Sequence, residues 1–83
     1  MLLMSEEEMK REHRTPLAEV RGWGVASDAF HITSPAPDGA GLLSSIQRAL
    51  NLAQISSTEI SAVSAHGTGT THNDTMELTA FNT

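Results

Sequence analysis

The stretch Ala65-His66-Gly67-Thr68-Gly69-Thr70-Thr71 constrains this chain more than any other. A run of small apolar residues, Ile60 to Ala65, leads into it, and a helix start follows, with Asn73, Asp74 and Glu77 just behind. The order predicts one histidine presented at a strand end on a Gly/Thr loop. In open α/β sheets ligands sit at the carboxyl ends of strands, and glycines there let the backbone approach a ligand closely. The hydroxyls of Thr68 and Thr70, on either side of Gly69, suit hydrogen bonding to an extended polar chain. His66 would supply the chemistry.

Composition narrows the classes around that loop. The chain has 83 residues, enough for one small domain, and a chain of this size buries only a modest fraction of its surface. Its 0 cysteines remove disulfides, thiolate metal sites and any cysteine nucleophile. A net charge of -5 with only 5 Lys and Arg supports neither a nucleic-acid footprint nor a basic membrane patch. The longest apolar run at the amino end, Met1 to Met4, is far short of a membrane span and runs into acids instead of a signal-peptide cleavage pattern. A soluble cytoplasmic protein is therefore expected. Because the chain opens on a strand-like run and stops at Phe81-Asn82-Thr83 without a helix stop signal, it reads as a piece of a larger protein.

Taken in order, Met1 to Met4 reads as the end of a buried strand. Ser5 with Glu6, Glu7 and Glu8 makes a Ser-x-x-Glu capping box for a short helix running to Arg14, which ends before Pro16. His13 sits on this charged surface without a role. Leu17 to Ala29 reads as a strand bent at Gly22-Trp23-Gly24, with Trp23 as a core or interface aromatic that its glycines make room for. The prolines and Gly39 make residues 28–39 a long irregular connection, in which His31 is expected to be satisfied by backbone groups. Gly41 to Ala53 is the clearest element. Leu42, Leu43, Ile46, Ala49, Leu50 and Ala53 fall at helical spacing, giving an amphipathic helix to pack on a sheet. Ser56 to Glu59 repeats the Ser-x-x-Glu pattern and feeds the strand Ile60 to Ala65, the order of a βαβ crossover. Asn73 or Asp74 is expected to cap a last helix, with Glu77 completing the box and Met76, Ala80 and Phe81 as its apolar side.

Several familiar chemistries fail on spacing. His66 with His72 and Asp74 matches no zinc pattern. Gly-x-Ser-x-Gly is absent, and no Lys follows Gly69 as a phosphate-binding loop requires. Gly22-x-Gly24 lacks the third glycine of a dinucleotide fingerprint.

Ala65-His66-Gly67-Thr68-Gly69-Thr70, the following Asn73-Asp74-x-x-Glu77, and the upstream Ser27-Asp28-Ala29-Phe30-His31-Ile32-Thr33-Ser34-Pro35 together resemble the β-ketoacyl-acyl-carrier-protein synthase family, the condensing enzymes of fatty-acid and polyketide synthesis. Ala18-Glu19-Val20-x-Gly22-Trp23-Gly24 is similar to the strand leading to that second loop, so the resemblance covers nearly the whole chain. It implies an α/β, thiolase-like fold, of which residues 1–83 would be part of the C-terminal half in the order strand-loop-helix-strand-loop-helix. It also implies a dimeric acyltransferase that decarboxylates malonyl-carrier protein to an enolate, which attacks an acyl chain held on a cysteine. On this resemblance His66 is one of two assisting histidines, donating to a thioester oxygen. Thr68, Thr70, Thr33 and Ser34 line the path of the phosphopantetheine arm, Glu77 is a buried acid behind the site, and Asp74 is structural at the helix start.

No bound cofactor or metal is implied, since the substrate rides on acyl carrier protein. The expected partners are that carrier and the remainder of the synthase. The cysteine, a lysine and the second histidine would lie outside these residues, so this chain alone should not condense anything. It should fold marginally or self-associate, because Leu2, Val20, Ile46 and Val63 lack sheet partners. Two other readings stand beside it: a noncatalytic, chain-length-factor type subunit, which retention of His66 disfavours, and a structural module that uses this unit to oligomerise.

Overall fold

Three helices carry the chain in the computed structural model, which describes all of residues 1–83. Helix α1 (Glu6–Arg11) begins where Ser5 Oγ accepts from the Glu8 N–H at 3.1 Å. The Glu8 carboxylate turns to Arg11 instead of returning to Ser5, so the expected box closes on one side only. The helix stops three residues short of Arg14, where His13 takes a left-handed φ of 55°. Its ion pairs are exposed and contribute little.

Helix α2 (Ala40–Ala53) forms where the apolar spacing puts it, and Gln54, left-handed at φ 57°, closes it by donating to Asn51 and Leu50 carbonyls. A single 3₁₀ turn, Ser57–Glu59, carries the second Ser-x-x-Glu pattern, and there the box is complete. Helix α3 (Thr71–Phe81) packs on α2. Between and around them lies a small core of Ala36, Ala53, Met76 and Ala80, with Glu77 the one charged residue buried beside it.

The segment 21–26 is extended along α2. Its residues alternate between open and half-covered, with Gly22, Gly24 and Ala26 turned inward. The approach is backbone to backbone: a Cβ at Gly22 would strike the Ala49 carbonyl oxygen and sit 3.1 Å from Ala53 Cβ, and one at Gly24 would strike the Ser45 carbonyl oxygen. The period of two is unbroken through Trp23, so the expected bend is absent. The same register turns Trp23 outward, 68% exposed, so of the two expected places, core or interface, it is not in the core of this chain.

No segment forms a paired strand. Of 32 backbone hydrogen bonds, 19 lie inside helices, and the other 13 are turn and cap bonds between residues no more than five apart. The strands expected at Met1 to Met4, Leu17 to Ala29 and Ile60 to Ala65, and the βαβ crossover, therefore do not form. A strand is stabilised by a neighbour that takes its N–H and C=O groups. This chain provides the helices of the unit and no such neighbour.

Candidate functional site

The loop from Ser64 to Thr70 runs along the surface into α3, and every residue in it is exposed. Gly67 and Gly69 take φ of 56° and 75°, and a Cβ at either would meet nothing within 4 Å. Glycine is needed here for the left-handed backbone and not for space.

What fixes the loop is Glu77, a turn and a half into α3. Its Oε1 accepts from the His66 N–H at 2.9 Å and its Oε2 from the Gly67 N–H at 3.0 Å. The side chain is 7% exposed. The Gly67 amide, and then that of His66, hold its carboxyl below the ordinary 4.5, with smaller contributions from the His66 ring and the Asn73 amide; burial pushes the other way and loses. Glu77 is thus an ionised clamp on two consecutive amides. The expectation of a buried acid behind the site fits this geometry. The expectation that Glu77 completes a helix cap does not.

The cap itself lies elsewhere. Thr70 is the N-cap of α3, its side chain does not cap, and Asn73 and Asp74 fall inside the first turn as its third and fourth residues. Asn73 Nδ2 and Asp74 Oδ1 are buried there without a hydrogen-bond partner.

With its backbone held, His66 projects an imidazole that makes no hydrogen bond within the chain and stands open to solvent. Further along the loop the Thr68 and Thr70 hydroxyls lie 2.8 Å apart. One donates to the other, which leaves one free O–H and unused lone pairs. A free ring donor followed two and four residues on by hydroxyls has the groups to bind a carbonyl oxygen and the polar chain attached to it.

The second loop approaches α3 from the other direction. Asp28 Oδ2 accepts from the Ala36 N–H at 3.0 Å and closes residues 28–36 into a compact turn. His31 Nδ1 accepts from the Thr33 N–H at 3.1 Å, so that histidine is satisfied by its own loop. Thr33 shares this small exposed cluster, its hydroxyl 3.3 Å from the same nitrogen. Ser34 lies in a groove of 390 Å³ between this loop and α3, together with Phe30, Thr71, His72 and Thr75. Ser34 and the helix that carries Glu77 are brought together, while Thr33 faces His31 outside the groove. Sequence reasoning weighed His72 only as a metal ligand and did not single out Thr71 or Thr75. Thr71 and His72 open α3, which placing the cap at Asn73 or Asp74 concealed.

Residues 17–83 match the family described as beta-ketoacyl synthase, C-terminal domain. The chain belongs to the β-ketoacyl synthase family. It is 41% identical over 81 residues to the chloroplastic 3-oxoacyl-[acyl-carrier-protein] synthase II of Arabidopsis thaliana, a match covering 98% of this chain and 15% of the relative. To 3-oxoacyl-[acyl-carrier-protein] synthase 2 of Mycobacterium leprae it is 38% identical over 82 residues, 99% of this chain and 20% of that one. A chain in a solved structure of a type II PKS acyl-carrier protein in complex with its ketosynthase, bound to the hexaketide, matches with a TM-score of 0.83 and 36% identity over 92% of this chain and 19% of its own. The chain therefore spans a fifth or less of the length of these relatives. No helix in it is long and apolar enough to cross a membrane.

Proposed function

We propose that this chain supplies the oxyanion-binding histidine and part of the arm-binding surface of a 3-oxoacyl-[acyl-carrier-protein] synthase, an acyltransferase that condenses an acyl thioester with malonyl-acyl carrier protein. The observation that supports it is the Glu77 clamp: a buried carboxylate spends both oxygens on the amides of His66 and Gly67 and leaves the imidazole free. Such a donor costs no reorganisation when charge develops opposite it, and this is how preorganised donors lower barriers.

In the reaction, the carbon–carbon bond to the malonyl carboxylate breaks, carbon dioxide leaves, and the electron pair moves onto the thioester oxygen as an enolate. His66 donates a hydrogen bond to that oxygen. The enolate carbon then attacks the acyl carbonyl, and the thiolate that held the acyl group departs. Thr68 and Thr70 grip the phosphopantetheine arm next to its sulfur, so the thioester arrives at the ring in register, and Ser34 and Thr33 approach the same arm from the second loop. Asp74 and Glu77 support α3 and the histidine loop from behind. The nucleophilic cysteine must come from the rest of the synthase, since these residues include 0 cysteines. In the full-length protein His66→Ala should lower kcat for condensation by roughly 10² or more, the order lost with one oxyanion donor. Unchanged turnover would reject the role.

A further inference from the structure

We propose that Asn73 is a positioning residue for His66: in the full-length synthase its side-chain amide donates a third hydrogen bond to the Glu77 carboxylate and so steadies the clamp on the His66 and Gly67 amides. The inference rests on the condensing reading above for its effect on turnover, and on the geometry of α3 for the bond itself.

Asn73 stands four residues before Glu77 on α3. That spacing puts both side chains on one face of the helix with Cβ atoms about 5–6 Å apart, within reach of an amide-to-carboxylate bond. Each Glu77 oxygen accepts one backbone N–H, and a carboxylate has about four acceptor sites, so about two stay open. No Lys or Arg of this chain fills them, since its ion pairs all lie within residues 6–14. Glu77 is also the one charged residue in the buried set. An anion placed there depends on N–H donors.

Asn73 has one to give. Its Nδ2 is shut off from solvent and makes no hydrogen bond within this chain. A buried donor left unpaired is costly, and χ2 of asparagine is broad, so the amide can turn at little cost. After the Gly67 and His66 amides, the Asn73 amide already favours the charged form of Glu77 from where it stands. The His66 ring is the one other titratable group that acts on this carboxyl, and it acts in the same direction. Turning the Asn73 amide onto Glu77 satisfies the orphan donor and an open lone pair together. It also fixes the carboxylate from the helix side, while the loop amides fix it from the other.

The test follows, in the full-length protein, the shared transition that the His66 and Gly67 amide resonances show as Glu77 protonates. Asn73→Ala removes the third donor, so the charged form is less favoured and the midpoint should rise. Asn73→Asp keeps the shape but sets a second carboxyl against the first, and should raise it further. A structural asparagine bonded elsewhere would leave the midpoint in place, and Ala, the better helix former, keeps α3 intact. In Asn73→Ala kcat for condensation should fall about 2- to 10-fold, the worth of one hydrogen bond, with KM unchanged, because only the ring is loosened. An unmoved midpoint, an unchanged kcat or a loss confined to KM would overturn the proposal. His66→Ala removes the ring and keeps the backbone amide, so the Gly67 amide should show the same rise there whether or not His66 condenses. Failure of the Asn73 bond and failure of the condensing reading are thereby told apart.

Discussion

Glu77 shows how one side chain can set the geometry of another without touching its reactive atoms. Both carboxylate oxygens are spent on adjacent amides, and the charged form is favoured because each of those bonds is charge-assisted. The consequence for pH follows from the sign of the shift. The folded carboxyl lies below the ordinary 4.5, so the clamp adds stability above that value and loses it as pH falls through the lower folded value. The His66 and Gly67 amide resonances of the full-length protein should therefore move together on acidification below 4.5, and in Glu77→Gln the shared transition should vanish. Amides that move independently, or a transition that survives in Glu77→Gln, would show that the clamp is not the cause.

At the scale of elements, the contact between α2 and the extended 21–26 segment is set by two glycines. Because a Cβ at Gly24 would collide with the Ser45 carbonyl oxygen, which belongs to helix backbone and cannot swing aside, Gly24→Val should destabilise the full-length protein by about 1–3 kcal/mol. The shift in thermal midpoint measures it, and an unchanged midpoint would mean the segment is not seated there. The sequence made some elements legible and hid others for identifiable reasons. Helix α2 was readable because its six apolar positions repeat at helical spacing, a signal internal to the element. The 3₁₀ turn and the start of α1 were readable from local capping chemistry. The strands were not, since the run of small apolar residues Ile60 to Ala65 states a preference that only a neighbouring strand can satisfy, and no backbone bond here reaches beyond five residues. The start of α3 was misplaced because Asn73 and Asp74 are strong caps by type, while the N-cap is a threonine whose hydroxyl is engaged by Thr68. Of the candidate site, His66, Thr68, Thr70 and Glu77 were singled out through a motif. The clamp joining Glu77 to two amides was not, since it depends on how α3 is set against the loop.

The whole molecule is open. A compact protein of this mass exposes about 4,800 Å², whereas this chain exposes 6984 Å². Its radius of gyration is 15.8 Å against about 12 Å for a compact domain of this length. The excess surface includes Val20, Trp23 and Val25 on the outward side of the extended segment and Ile60 and Val63 before the histidine loop. Apolar surface on this scale belongs at an interface, and a chain spanning a fifth or less of its relatives' length has such an interface to make. The loop that holds His66 is already fixed by Glu77 without it, and the walls that would exclude water from the imidazole are not in these residues. The most direct test is therefore a structure of the full-length synthase with a non-hydrolysable malonyl-pantetheine analogue bound. The prediction is a ring nitrogen of His66 about 2.7–3.1 Å from the carbonyl oxygen that would become the enolate, with Glu77 still bonded to both amides. A His66 ring turned away from that oxygen, with another donor in its place, would contradict the account.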